Sequence, residues 1–214
     1  MQQGLEAFLK FGTVFLVYRV LNHYINEDPD VELFDSNTLI MAILILVGFV
    51  LYYLLIVPLL PTEYASPVMG KIVNDILMWG TALIFSSVVG SYITGSEMFS
   101  SQWMKTTMFI LLGLVIYRVL LEPLMPVSIV AAQSGSQAML SDWALYGSVY
   151  IITMLLNGSG VNTQLVLGTL FVLIGFAAYY LVVDKVLNIR SEVSASSIFP
   201  MLQNSPMTQS SHSY

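Results

Sequence analysis

Cysteine does not occur in the 214 residues. That absence excludes disulfides, thiolate metal sites and cysteine redox chemistry. Charge is scarce too, at 9% of residues against roughly 25% in an ordinary soluble domain. A chain so poor in charge and 57% hydrophobic cannot cover a water-facing surface, so lipid is the expected solvent around most of it. The net charge is −6 and no basic cluster is present, which excludes a nucleic-acid partner. Two histidines, one of them in the C-terminal tail, are too few for a histidine-rich metal or haem site. There is no HExxH, Walker loop, GxSxG or dinucleotide fingerprint. The expectation is no enzymatic activity, no metal and no cofactor, with bound lipids the only small molecules. The opening stretch "MQQGLEAFLKFGTVFLVYRVLNHY" lacks a basic leader followed by a small-residue cleavage site, so it reads as a retained span.

What remains is apolar sequence in six runs, about 7–24, 38–60, 72–94, 105–125, 142–157 and 163–187. Most approach the ~20 residues that a helix needs to cross a bilayer. The first is interrupted by Lys10 and Arg19, and the fifth is short. A strongly acidic loop, "INEDPDVELFDSN", separates the first two; the other loops are short, which makes consecutive helices antiparallel neighbours. Pro58, Pro61, Pro67, Pro123 and Pro126 mark ends. The expected architecture is all-α, a polytopic domain over residues 1–190 followed by a polar tail over 191–214.

The even-numbered runs align without a gap: "SNTLIMAILILVGFVLYY", "SQWMKTTMFILLGLVIYR" and "TQLVLGTLFVLIGFAAYY". Each reads Ser or Thr, Asn or Gln, ten residues, glycine, three residues, tyrosine, then Tyr or Arg. The glycines are Gly48, Gly113 and Gly175, and the terminal pairs are Tyr52-Tyr53, Tyr117-Arg118 and Tyr179-Tyr180. The odd runs share an aromatic residue, glycine and a hydroxyl: "FGT" at 11–13, "WGT" at 79–81 and "YGS" at 146–148. Asp75 and Asp142 precede two of these at one offset, where the first has Ala7. The pattern predicts three tandem two-helix hairpins, at about 5–61, 70–126 and 137–188, around a pseudo-threefold axis.

Within that frame the polar residues read as boundary markers. From Asn37 to Tyr53 is ~24 Å of helix, close to the thickness of the hydrocarbon layer. Ser36, Ser101 and Thr163 are then expected to cap helices at one interface. Tyr52, Tyr53, Tyr117, Arg118, Tyr179 and Tyr180 are expected to anchor the other as an aromatic belt. Arg118 is expected to snorkel to the headgroups beside Glu122, one turn on. Arg19, with His23 on the same face, reads as a further anchor. Asp75 and Asp142, placed at helix starts, are expected to offset the helix dipole; their other reading is a polar path for protons or cations. Gly12, Gly48, Gly80, Gly90, Gly113, Gly147 and Gly175 are expected to let helices approach, with Ala82, Ser86 and Gly90 lining the most enclosed one. "NGS" at 157–159 is formally a glycosylation acceptor, but its loop is too tight for the transferase.

Lys10, Lys71, Lys185 and Arg190 fall on the side of the termini, and the other side has Lys105 and Arg19 against the acids Glu27, Asp28, Asp30, Glu32, Asp35 and Glu97. The positive-inside rule therefore puts both termini in the cytoplasm. The tail holds eight serines, two prolines and one charge. Such a segment is disordered alone and suits a strap docked on other proteins of a large assembly. Hairpin runs such as "FSSQWMKTTMFILLGLVIYRVLLEPLMP" (99–126) resemble the multi-pass inner-membrane and minor capsid proteins of large icosahedral double-stranded DNA viruses. That resemblance implies a non-catalytic structural role, anchoring a virion's internal membrane beneath its capsid. Mitochondrial carriers also triplicate a two-helix unit, but their proline-acid-basic signature is missing here. The competing expectation is a small channel or transporter built by triplication, which requires polar groups near mid-membrane.

Overall fold

The computed structural model describes residues 2–26, 33, 35–61, 64–130 and 135–187. The tail at 191–214 and most of the acidic loop lie outside the described residues. Among the described residues all regular structure is helical. The long helices are α1 (Gln2–Asn26), α2 (Ser36–Leu51), α3 (Pro67–Thr94) and α4 (Ser101–Ile116); a short α5 (Val127–Val130) leads to α6 (Gly135–Leu156) and α7 (Thr163–Ala178), and α8 (Asp184–Leu187) ends the described chain.

Local chemistry explains the starts and stops. Pro67 supplies the preset φ of a first helical residue behind the cap Ser66, whose hydroxyl accepts the Met69 N–H at 3.2 Å. Gly95 stops α3 in the left-handed region at φ +69°, where a side chain would be strained. The helices α2, α4 and α7 are capped by Asp35, Ser100 and Asn162, which accept N–H bonds from Thr38, Trp103 and Leu165 at 2.9, 3.2 and 2.9 Å. The caps thus stand one residue before Ser36, Ser101 and Thr163, which are the first residues of their helices. The Thr38 hydroxyl and N–H hold the Asp35 carboxyl below its ordinary range.

These three helices are 16 residues long, and each passes into a five-residue π segment: Tyr52–Ile56, Tyr117–Leu121 and Tyr179–Val183. The tyrosine N–H is shared between two carbonyls, Gly48 and Phe49 in the first case. The tyrosine carbonyl then accepts from the residue five positions on: Val57, Glu122 or Asp184. Pro58 and Pro123 follow two of the segments and cannot donate to the turn behind them. The third segment forms with Lys185 at that offset, so proline is not its cause. The widened turn swings Tyr52, Tyr117 and Tyr179 inward, leaving them 0%, 2% and 0% exposed.

The packing closes a ring. In order, α1 packs on α2, α2 on α3, α3 on α4, α4 on α6, α6 on α7, and α7 returns to α1. At three joints of the ring, α2 with α3, α4 with α6 and α7 with α1, the helices meet through a glycine. A Cβ on Gly48 would lie 2.5 Å from Ala82 Cα, one on Gly175 2.8 Å from Val14 Cα, and one on Gly113 3.3 Å from Val149 Cγ1. Each partner stands two residues beyond the glycine of its own aromatic-glycine motif. Without a hydrophobic drive between helices in lipid, such backbone contact is what holds them.

Five stretches are long and apolar enough to cross a membrane: Ser36–Leu59, Pro67–Thr94, Ser101–Leu124, Gly135–Leu156 and Thr163–Leu187. The first helix is not among them. It is long enough, but it carries Glu6, Lys10 and Arg19 and packs between α2 and α7. Large apolar side chains such as Leu55, Ile84, Met108, Leu120, Leu170 and Val182 stand exposed on the spans. Lipid, not water, satisfies that surface.

Candidate functional site

The centre of the ring is filled by side chains from every long helix. Phe11 of α1, Trp79 of α3 and Tyr146 of α6 come from alternate members of the ring, and their rings still meet. Centroids are 5.6 Å apart for Phe11–Trp79, 5.0 Å for Phe11–Tyr146 and 6.0 Å for Trp79–Tyr146. These are the aromatics directly before Gly12, Gly80 and Gly147. Phe49, Leu114 and Phe176, directly after the even-helix glycines, complete the layer at 0–1% exposure. Phe49 stacks obliquely on Phe11 at 4.8 Å, and Phe176 on Tyr146 at 5.7 Å. Each such pair is worth roughly 0.5–1.5 kcal/mol beyond its burial.

One turn from this layer, toward the chain termini, lie the acids. Asp75 is 5% exposed and sits inside α3, about 12 Å from its start at 1.5 Å per residue. Asp142 is similarly inside α6, about 10 Å along. Neither caps a helix, against the expectation from apolar-run boundaries. The starts were hidden because Lys71, Asn74, Asp75 and the polar residues of 135–142 continue their helices instead of preceding them.

Both acids are partnered by the residue after a buried tyrosine, Arg118 after Tyr117 beyond α4 and Tyr180 after Tyr179 beyond α7. Arg118 Nε donates to Asp75 Oδ2 at 2.7 Å, and Arg118 Nη1 donates to Glu122 Oε2 at 2.7 Å. Lys71 bonds the other oxygen of Glu122. Arg118 is therefore not an outward anchor: its side chain is 16% exposed and bridges two carboxylates. Tyr180, just beyond α7, donates to Asp142 Oδ2, and Lys10 of α1 reaches the same oxygen at 2.9 Å. Lys10 also lies 3.9 Å from Glu6 and over the Tyr180 ring at 5.7 Å. In α1 the corresponding position before the aromatic-glycine motif is Ala7, and Tyr53 points its hydroxyl at the Met78 sulfur, 3.8 Å away. Tyr52 donates to Asn74 Oδ1 at 2.5 Å. Of the expected belt, Tyr52, Tyr117, Tyr179 and Tyr180 are thus buried inside the ring.

Residues of the aromatic layer line two open cavities. On the side of the acids, about 470 Å³ is bounded by polar groups of Gln3, Glu6, Lys10, Asn74 and Asp75, with Phe11 and Tyr146 at its floor. On the other side, about 700 Å³ is walled by apolar residues that include Phe11, Trp79 and Phe49, with Asn37 and Thr38 among its lining. The first is a polar bulb and the second an apolar one, and Phe11 lines both.

The remaining sequence-predicted residues are dispersed. Arg19 Nη2 donates to Leu33 O at 3.2 Å, away from the acid clusters. Gly90 meets Met41 Sδ at 2.6 Å, and Gly12 meets only Leu46 Cδ1 at 3.4 Å. Gly80 has nothing within 4 Å of a Cβ, so it makes no helix-to-helix contact through the glycine face, whereas a Cβ on Gly147 would meet Trp143 of its own helix at 3.2 Å and Thr169 Cγ2 of α7 at 3.7 Å. Gly168, absent from the predicted set, lies under the Tyr150 hydroxyl. Lys10 as the partner of Asp142, and the aromatics of the "FGT", "WGT" and "YGS" motifs as an axial layer, lie outside the sequence expectations. The signal for those aromatics was present, since they recur in register. Among the described residues no group of three or more His, Cys, Asp or Glu is placed to hold a metal ion. No protein-family model, no curated protein and no solved structure matches this chain.

Proposed function

We propose that the protein is a six-span membrane transport protein, three tandem hairpins about a pseudo-threefold axis, and that small hydrophilic species, protons or cations among them, cross along that axis. One observation carries the reading: Asp75, Arg118 and Asp142 stand inside membrane-length helices, Asp75 lines a polar cavity, and Arg118 and Asp142 pair with the cavity-lining Asp75 and Lys10. Ionisable groups at that depth are costly, face interiors and mark substrate paths. Centred in the bilayer, Pro67–Thr94 and Ser101–Leu124 put Asp75 and Arg118 only about 8 Å from the midplane of a ~30 Å core. The three glycine joints, the three π segments and the axial aromatics support the threefold arrangement, in which α1 is the sixth span shielded by its two neighbours.

The test is proton flux in liposomes carrying the purified full chain, driven by a potassium-valinomycin potential and read with an entrapped pH dye. Flux above protein-free liposomes is expected, and its loss on changing Asp75→Asn together with Asp142→Asn. Equal flux with and without protein contradicts the reading.

A second reading keeps a specific observation of its own. The axial charges neutralise one another, which suits struts that stiffen a ring. On that reading the protein is a structural anchor tying a bilayer to a larger assembly, a virion's internal membrane and capsid being the proposed case, through its loops and the tail at 191–214. Recovery of the chain from purified cellular membranes with no virus present counts against it.

A further inference from the structure

Resting on the transport reading, we propose that Phe11, Trp79 and Tyr146 form the closed gate of the pathway, and that the apolar bulb beyond them is its dewetted half. The three rings belong to alternate helices of the ring and touch only across its centre, so the side chains themselves obstruct the axis. Phe11 lines both bulbs, Tyr146 the polar one and Trp79 the apolar one, which makes the layer the partition between two cavities of about 470 and 700 Å³. An apolar constriction stops water and ions by dewetting, without any charged barrier. The polar bulb supplies the opposite: hydrated and charged walls, one helical turn away, where a hydrophilic species would wait.

The gate has a mechanical partner. Lys10 lies one residue before Phe11 and is tied across the ring to Asp142, which stands one turn before Tyr146. Asp75 stands one turn before Trp79 and is tied to Arg118. Two of the three gate aromatics are therefore carried on helix turns clamped by an ion pair to another helix, Trp79 to the adjacent one and Tyr146 across the ring to α1, and the third shares the Lys10 clamp. Release of either pair by a passing cation or proton frees a turn of helix that holds a gate ring.

The absence of native cysteine allows a direct test. Gln3→Cys places a thiol at the polar mouth and Asn37→Cys one at the apolar mouth. A membrane-impermeant cationic thiol reagent is added to right-side-out and to inverted vesicles, so that each mouth is offered separately. In the parent background each thiol is expected to react in one vesicle orientation only. With Trp79→Ala, and separately with Phe11→Ala, each thiol is expected to react from both sides. The rate from the formerly closed side should rise by about tenfold or more, the change that roughly 1.4 kcal/mol of lowered barrier gives. Elution as a monodisperse species checks that each variant is folded. Reaction from both sides in the parent overturns the gate, and so does one-sided reaction in both alanine variants. If the thiols become reachable from both sides while proton flux stays at the protein-free level, the gate stands and the transport reading fails.

Discussion

Replacing Arg118 with methionine is the perturbation that separates a structural ion pair from a surface decoration. In the parent, Arg118 supplies the partner of Asp75 Oδ2 and one partner of Glu122, with side-chain exposures of 16%, 7% and 10% for the three groups. Methionine keeps much of the volume and removes the charge, so Asp75 is left as a buried acid with its cation gone. Breaking a buried pair from one side costs about 3–5 kcal/mol, because the surviving charge stays desolvated. Lys71 is different. Its side chain is 42% exposed, and solvent screens its bond to Glu122, so Lys71→Ala is expected to cost within about 1 kcal/mol. Arg118→Met with Asp75→Asn removes both charges, and most of the single-variant loss should return as a coupling energy between the two sites. The assay is reversible unfolding in mixed micelles at increasing SDS fraction, followed by tryptophan fluorescence. A loss under about 1 kcal/mol for Arg118→Met, or additivity of the two substitutions, refutes the reasoning: Arg118 then reaches water and the pair is not buried.

Further predictions concern the ring joints, the caps and the second clamp. Gly48→Ala should destabilise by about 1–3 kcal/mol in the same unfolding assay, because its Cβ would lie 2.5 Å from the Ala82 backbone and α2 must shift away. Gly80→Ala meets nothing within 4 Å and should be neutral or stabilising by up to about 1 kcal/mol, the helix-propensity gain. Because the Asp35 carboxyl is held below its ordinary range, its capping contribution is complete above the unfolded value of 3.8 and fades as pH falls through the lower folded value. The unfolding midpoint of Asp35→Ala should therefore approach that of the parent below about pH 3, the acid side of the ordinary carboxylate range, and lie under it at neutral pH. Lys10→Met should weaken the α1–α6 link, seen as faster amide exchange in the first half of α1 than in the parent.

Sequence reasoning went furthest where the physics is local. Six long helices were legible from apolar runs, and stops such as Gly95 and starts such as Pro67 from backbone chemistry. It failed where a polar residue has a distant partner. Arg118 and Asp75 are 43 positions apart, so neither announces its partner in the sequence, and the apolar runs begin only after Lys71 and at Asp142. The resulting helix starts, 72 and 142, fall short of Pro67 and Gly135. The inward turn of Tyr52, Tyr117 and Tyr179 depends on one extra residue in a helical turn, which no 3.6-residue periodicity announces. A tyrosine at the end of an apolar run has two homes, a headgroup belt or a buried hydrogen bond, and Asn74 decides for Tyr52.

The central claim is that charged side chains occupy a watered cavity at a depth where the outer face of the same helices touches acyl chains. Nitroxides attached to single cysteines at Asn74, in the polar bulb, and at Leu120, exposed on the outer face two residues beyond Arg118, measure both at once in bilayers. The account predicts that Leu120 is relaxed mainly by oxygen, which dissolves in lipid, and Asn74 mainly by a water-soluble nickel chelate. Relaxation of both labels by the chelate alone would place this part of the bundle outside the membrane, and relaxation of both by oxygen alone would leave the axis dry; either result contradicts it.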